Sequence, residues 1–251
     1  NKLQDNVAEE LRGVCAMNKG RCLCGSVTWA LLAEPYAIYN CHCRMCQKVH
    51  GAAFGTYCFV NEDQFLWTSS TDTIVYYESS EYLVRSSCDV CGSVVPYANK
   101  AGNHWVAPGG CHNDMRKPDY NIFVVDNSPW HTINGDMPRR NGYPEESGIP
   151  SVGGLAVPGK AEDLVRGSCL CGVVTYQVTE PFKIAHNCHC SRCRHGRAAA
   201  HSSNGFLSYD GVQFLSGKDQ LKSYKAPDAR YFTQVFCEVC SSLMPRRDAE
   251  R

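Results

Sequence analysis

The sequence predicts a mainly β protein in which one small, cysteine-stapled antiparallel β domain occurs twice in tandem. Three observations carry this prediction. "GRCLCGSVTWA" at Gly20–Ala30 returns as "GSCLCGVVTYQ" at Gly167–Gln177, and "NCHCRMC" at Asn40–Cys46 returns as "NCHCSRC" at Asn187–Cys193. The pair Cys88 and Cys91 returns as Cys237 and Cys240. The first five repeated cysteines stand 147 residues from their counterparts and the last two 149, so the second copy gains two residues between its triplet and its final pair. A repeat on this scale is one folding unit made twice.

Within each copy the element signal is β. "SVTWALL", "TYCFV", "QFLWTS", "TIVYYES", "YLVRSS" and "NIFVVD" are short, rich in β-branched and aromatic residues, and bounded by Gly, Asp, Asn and Ser. The second copy answers with "VVTYQVT", "GFLSY", "VQFLS", "QLKSY" and "YFTQVF". Ala52–Phe54 and Ala198–Ala200 mark short helical turns, and no long helix is expected. "NGYPEESGIPSVGGLAVPGK" is rich in glycine and proline with no apolar period, which reads as a linker. The expected division is a first domain over 13–140, a linker over 141–160 and a second domain over 161–251. The second copy carries no counterpart of His104 to Arg140 before Arg251.

Composition narrows the function. Lys plus Arg and Asp plus Glu balance at 25 each, with no basic stripe, so no nucleic-acid partner is expected. No apolar run reaches the length of a membrane span and no secretory signal is visible, so no membrane partner is expected. Cysteine is the outlier at 17 residues. The odd count and the chain length argue against a disulfide framework and for metal-bound thiolates in the reducing cytoplasm.

Each copy offers C-x-C, then C-H-C-x-x-C, then C-x-x-C. A structural zinc takes four tetrahedral ligands, whereas a catalytic one keeps a position open. Seven thiols therefore divide into four and three. Cys22, Cys24, Cys88 and Cys91 are expected to close one site, and Cys41, Cys43 and Cys46 to hold a second ion by three bonds, with a substrate thiol as the fourth ligand. Coordination strips a thiol of its proton, and the thiolate is the nucleophile. The competing expectation is that His42, His112 or a leftover cysteine completes the triplet as a second closed site. Cys15, Cys58 and Cys111 stand outside the repeat and read as buried small hydrophobes.

"GRCLCGSVTW", "CHCRMCQKVHGAAF", "CDVCGS" and Pro129-Trp130 together resemble the glutathione-dependent formaldehyde-activating enzyme family, whose domain is shared with centromere protein V and has the Mss-four-like zinc fold. The resemblance covers roughly 13–140 and 165–247. It implies two tandem zinc-stapled Mss-four-like domains with two zincs each, up to four Zn2+ per chain. By position, Cys22, Cys24, Cys88 and Cys91, with Cys169, Cys171, Cys237 and Cys240, match the structural ligands. Cys41, Cys43 and Cys46, with Cys188, Cys190 and Cys193, match the reactive ones. The implied activity is a carbon-sulfur lyase or synthase joining formaldehyde and glutathione, or acting on a related thiol adduct. "GGCHNDM" and Asn121 depart from the family pattern, which implies an altered substrate pocket, and Ser241 replaces the glycine seen at Gly92.

The fuller pattern of the first copy favours its triplet as the working site. For proton transfer the candidates are His42 and His50 foremost, then His112, His189, His195 and His201. Lys48, Arg44, Arg192, Arg194 and Arg197 could meet the carboxylates of a glutathione-like thiol. The tandem copies are expected to pack as an intramolecular pseudo-dimer around a cleft, and a homo-oligomer is permitted. Two alternatives stay open: a non-catalytic zinc-binding interaction module, and a redox or zinc-storage protein.

Overall fold

The computed structural model describes residues 18–100, 102–145 and 165–247. Cys15 and most of the stretch read as a linker lie outside them. The first copy contains β1 (Asn18–Arg21), β2 (Thr28–Leu31), β3 (Ala37–Cys41), β4 (Gly55–Asn61), β5 (Phe65–Trp67), β6 (Ile74–Ser80), β7 (Leu83–Cys88), β8 (Val94–Val95), β9 (Tyr97–Ala98), β10 (His104–Pro108), β11 (Tyr120–Ile122) and β12 (Arg139–Arg140). The second contains β13 (Val165–Ser168), β14 (Thr175–Val178), β15 (Ile184–Cys188), β16 (Ser202–Phe206), β17 (Val212–Ser216), β18 (Leu221–Lys225) and β19 (Thr233–Cys237).

Both copies share three modules. A three-stranded sheet β1-β2-β5 corresponds to β13-β14-β17, the hairpin β3-β4 to β15-β16, and the hairpin β6-β7 to β18-β19. The first copy extends its β3-β4 hairpin into a six-stranded sheet of order β12-β11-β3-β4-β10-β9. There β11 pairs parallel with both β3 and β12, so the expected antiparallel fold is locally mixed. Among the described residues the second copy has no matching extension.

The C-x-C segment folds as a knuckle. Cys22 N–H donates to Val27 O at 3.0 Å, Val27 N–H donates to Cys22 Sγ at 3.4 Å, and Gly25 turns the chain at φ +83°. Cys169, Val174 and Gly172 repeat this at 3.0 Å, 3.3 Å and φ +80°. Such φ values are open to glycine at little cost. The C-x-x-C turns differ instructively: Gly92 is left-handed and so is Ser241. A Cβ at Gly92 would meet the Phe236 ring at 2.5 Å, so the glycine leaves room for the other copy to pack.

Two helices of seven residues, Arg44–His50 and Ser191–Arg197, precede rather than coincide with the expected turns at Ala52–Phe54 and Ala198–Ala200. Their start is set by the cysteines. Cys43 is the N-cap of the first helix and its sulfur accepts the Cys46 N–H at 3.4 Å. "NIFVVD" is strand only to Ile122, because Phe123 takes φ +56° and sends the chain into a 3-10 turn.

The copies contact one another reciprocally. Lys48 Nζ donates to Ser168 Oγ at 2.6 Å, and at the equivalent positions His195 Nδ1 meets Arg21 O at 2.9 Å. This is the isologous contact of a two-fold pair, within one chain. Trp29, Leu31, Val60 and Val95 form the core of the first copy, and Leu170, Tyr224 and Phe232 of the second pack onto it. No described helix is long and apolar enough to cross a membrane.

Candidate functional site

The fold gathers the repeated cysteines into four groups. The sulfurs of Cys22, Cys24, Cys88 and Cys91 lie within 4.8 Å of one another, as do those of Cys169, Cys171, Cys237 and Cys240. A tetrahedral four-thiolate site with metal-sulfur bonds of about 2.3 Å has sulfur-sulfur edges of about 3.8 Å. The observed Cys22–Cys24 and Cys24–Cys88 separations are 3.4 and 3.6 Å, and Cys169–Cys171 and Cys171–Cys237 are 3.3 and 3.8 Å. Both fours therefore fit a metal ion. Each ties an early knuckle to a late hairpin, as a staple does.

The triplet Cys41, Cys43 and Cys46 forms a third group and Cys188, Cys190 and Cys193 a fourth. Among the described residues, no further His, Cys, Asp or Glu donor joins either three within the same 4.8 Å. The first triplet is buried, whereas Cys190 is exposed and Cys188 and Cys193 are half-buried. Cys41, at the end of β3, and Cys46, in the first turn of the helix, converge because Cys43 caps that helix.

A cavity of about 80 Å³ lies against the first triplet. Its wall includes Tyr39, Tyr57, Tyr97, Phe123, Tyr143 and Arg85. Tyr143 comes from the stretch read as a linker and packs edge-on against Phe123, with ring centroids 4.8 Å apart. The left-handed φ of Phe123, unusual for a bulky residue, is stored at this wall.

Behind the triplet runs a buried polar chain. His50 Nδ1–H donates to Arg197 O of the second copy at 2.6 Å, which leaves Nε2 to accept the Tyr57 hydroxyl at 2.7 Å. Burial lowers the His50 pKa, so this neutral tautomer is the consistent one. Arg85 Nη1 donates to the Tyr57 oxygen at 3.2 Å and Nη2 to Cys46 Sγ at 3.7 Å. Burial opposes the charge on Arg85, but Tyr57 and Cys46 outweigh it and raise its pKa. Within the triplet, hydrogen bonds from Cys41 and Cys43, followed by the charge of Arg85, hold Cys46 well below the usual thiol range. A buried guanidinium needs a counter-charge. Three thiolates on a divalent ion would carry about −1, which Arg85 would balance.

The second triplet lacks this apparatus. By position, Tyr57 becomes Asn204, Arg85 becomes Gln234 and His50 becomes Arg197. Gln234 Nε2 is already committed to Cys91 O at 2.7 Å and Gly196 O at 3.0 Å.

The other expected participants scatter. His42 is fully buried between Asn121 Oδ1 at 3.0 Å and Asn127 Oδ1 at 3.1 Å, so the unusual Asn121 serves to hold that ring. His112 accepts the Trp29 indole N–H at 3.0 Å in the core and joins neither triplet. His195 belongs to the copy interface. His189 and His201 pack against one another with centroids 5.4 Å apart, and His131 stacks between His201 and His42 at 6.3 and 5.9 Å. Lys48 is engaged across the interface, Arg192 pairs with Asp228 at 2.8 Å and Arg194 donates to His112 O at 3.3 Å. Of the five cations named from sequence, only Arg44 lines the cavity. Cys58 and Cys111 are buried, at 0% and 1% exposure. Tyr57, Arg85, Tyr97 and Tyr143 were not named from sequence, although they line the cavity.

Fold and site together define a cysteine-rich β protein with two stapled copies and a buried three-cysteine group facing a cavity. The family profile described as glutathione-dependent formaldehyde-activating enzyme matches residues 17–126 and 164–251. The chain belongs to this family. Comparison with individually curated proteins returns no match.

Proposed function

We propose that this chain is a zinc-dependent carbon-sulfur lyase or synthase that works on a thiol adduct of the glutathione type at its first triplet. The observation that carries this reading is a buried set of three sulfurs, with no fourth donor among the described residues, facing a cavity. Cys41, Cys43 and Cys46 would hold the zinc, which would supply a Lewis acid that favours the thiolate form of a substrate thiol. The residues around it have separable tasks. Arg85 offsets the negative charge of the thiolates and donates to Cys46 Sγ. Tyr57 ties Arg85 to His50, and the Arg197 carbonyl fixes which His50 nitrogen carries the proton. The aromatic side chains of the wall lower the local polarity, which strengthens every one of these interactions. His42, held by two asparagines, orients the segment between Cys41 and Cys43.

The two fours are proposed as structural zinc sites, bringing the total to as many as four zincs per chain. For the second triplet a specific observation favours a non-catalytic role. Its thiols are partly exposed, and the counterparts of Tyr57, Arg85 and His50 are Asn204, Gln234 and Arg197. The second copy then acts as a scaffold whose Arg197 carbonyl completes the first site.

Zinc content per chain, measured with thiol-dependent activity in the Cys43→Ser and Cys190→Ser variants, tests this. Each variant is expected to lose one zinc from near four, with the fold intact and activity lost only in Cys43→Ser. Two zincs, unchanged by either substitution, would end the catalytic reading.

A further inference from the structure

Arg85 has a donor that the proposed function leaves unused. The side chain is only 3% exposed and spends Nη1 on Tyr57 and Nη2 on Cys46. Its Nε–H is buried and has no protein partner. A buried donor without a partner destabilises, and more so when the group is charged. Arg85 also lines the cavity, and Nη1 and Nη2 each keep a second N–H beyond the bonds to Tyr57 and Cys46, so a ligand oxygen there can meet the guanidinium.

The cavity limits what that ligand is. At about 80 Å³ it is smaller than a cavity of about 150 Å³ that accepts benzene, and far too small for a tripeptide. The enclosed space admits one or two carbons and an oxygen, while the body of the thiol stays outside.

We infer that Arg85 is a catalytic residue that binds the substrate's carbonyl oxygen and stabilises it as its charge develops, so that the enclosed pocket takes the small carbonyl end of the adduct. This rests on the thiol-adduct reading above. In the forming direction a sulfur lone pair makes the S–C bond while the C=O π pair moves onto oxygen, where the Arg85 N–H donates. The proton released by the thiol reaches that oxygen through water, and cleavage runs the same steps backwards. Arg85 gives up no proton in either direction. The second copy offers no equivalent, since Gln234 stands at the Arg85 position with its amide N–H groups already committed.

The experiment uses the zinc-loaded full chain, with isotope-labelled formaldehyde and glutathione as probes and exchange between free aldehyde and thiol adduct followed by NMR. Arg85→Gln and Arg85→Lys are compared with wild type, alongside zinc content and the thiolate-to-metal charge-transfer band of the cobalt-substituted proteins. Losing one donor to a developing oxyanion typically costs 10²–10³ in turnover. Arg85→Gln is expected to lose about that factor in kcat with KM for the thiol unchanged, the zinc retained and the cobalt band in place, and Arg85→Lys to lose less. Methylguanidine is expected to restore part of the rate to Arg85→Ala.

Turnover within about threefold of wild type in Arg85→Gln overturns the inference while leaving the thiol-adduct reading intact. Lost zinc or a shifted cobalt band in both variants overturns it too, because Arg85 is then only a prop for Cys46. A wild type without exchange activity removes both readings.

Discussion

The packing of the two copies is most sharply tested at Gly110. This residue sits in the 3-10 turn Gly109–Cys111 of the first copy, and an added Cβ would fall 2.2, 2.3 and 2.4 Å from the O, N and C atoms of Ala199 in the second. Ordinary contact begins near 3.4 Å, so Gly110→Ala overlaps by about an ångström. The obstacle is backbone, which cannot rotate aside as a long side chain does, and Ala199 is fully buried behind it. Overpacking of this kind costs about 1–3 kcal/mol and occasionally more. Taking about 3 kcal/mol, and about 2–4 °C per kcal/mol for a chain of this size, Tm is expected to fall by about 6–12 °C. Gly135→Ala is the control. Gly135 has φ +81° but nothing within 4 Å of an added Cβ, so only left-handed strain of about 1–2 kcal/mol is expected. Calorimetry on the zinc-loaded proteins reads both. If Gly110→Ala melts no lower than Gly135→Ala, the copies do not approach one another at Ala199 and the reciprocal interface is wrong.

Cys24→Ser is expected to remove one zinc and destabilise the first copy by several kcal/mol, since metal binding and folding are one equilibrium at a structural site; zinc content and urea unfolding read it, and an unchanged metal count would contradict the four-sulfur assignment. Gln234→Ala removes two buried hydrogen bonds and leaves the carbonyls of Cys91 and Gly196 unsatisfied. A loss of about 2 kcal/mol in urea unfolding is expected, against essentially none if these bonds are replaced by water. Stability is also expected to fall on acidification. Burial holds His112 at about 4, below its ordinary value of about 6.5, so the unfolded chain takes up the proton first. This stability is fully present above about pH 6.5 and is lost as pH falls towards 4, the loss reaching about 2 kcal/mol by pH 5. Urea unfolding at pH 7 and pH 5, at equal zinc content, measures the slope; His112→Gln, which can still accept the Trp29 N–H, should flatten it.

How much of this was legible in the sequence follows from range. The metal groups were legible because cysteine spacing is itself the chemistry: the knuckle, the helix cap and the C-x-x-C turn are each closed within a few residues. Strands β5, β6 and β7 were legible as aromatic and β-branched runs. Strands β3 and β15, which carry the triplets, were not, because "AIYNC" and "IAHNC" are too short and mixed to show a period. β7 explains the missed Arg85. Four consecutive residues there, from Arg85 to Cys88, are buried, so the strand has no wet face and inward and outward positions cannot be told apart by alternation. Tyr57 and Arg85 lie 11 and 39 residues from Cys46, and only the packing of β4, β7 and the helix brings them together. The single available signal was an arginine inside an otherwise apolar and small-residue strand.

The duplication gives those distant residues their meaning, because it offers two solutions to one electrostatic problem. Positions 50 and 85 hold histidine and arginine in the first copy, and their counterparts 197 and 234 hold arginine and glutamine. Each copy thus has a guanidinium at one of these two positions, moved from the strand to the end of the helix in the second. There the cation is worse placed: burial pushes Arg197 down to about 10, with Cys193 opposing that fall and Arg246 adding to it. The same residue turns its carbonyl towards the first site and holds His50 in the tautomer that accepts from Tyr57. Arg197 therefore serves both copies, its side chain beside one triplet and its backbone behind the other. A neutral residue at 197 changes the field at Cys193 but leaves the carbonyl in place, whereas a shift of the 197–199 backbone disturbs His50. Side-chain substitution at Arg197 should accordingly spare the first site, and Gly110→Ala, which presses on Ala199 two residues away, should not.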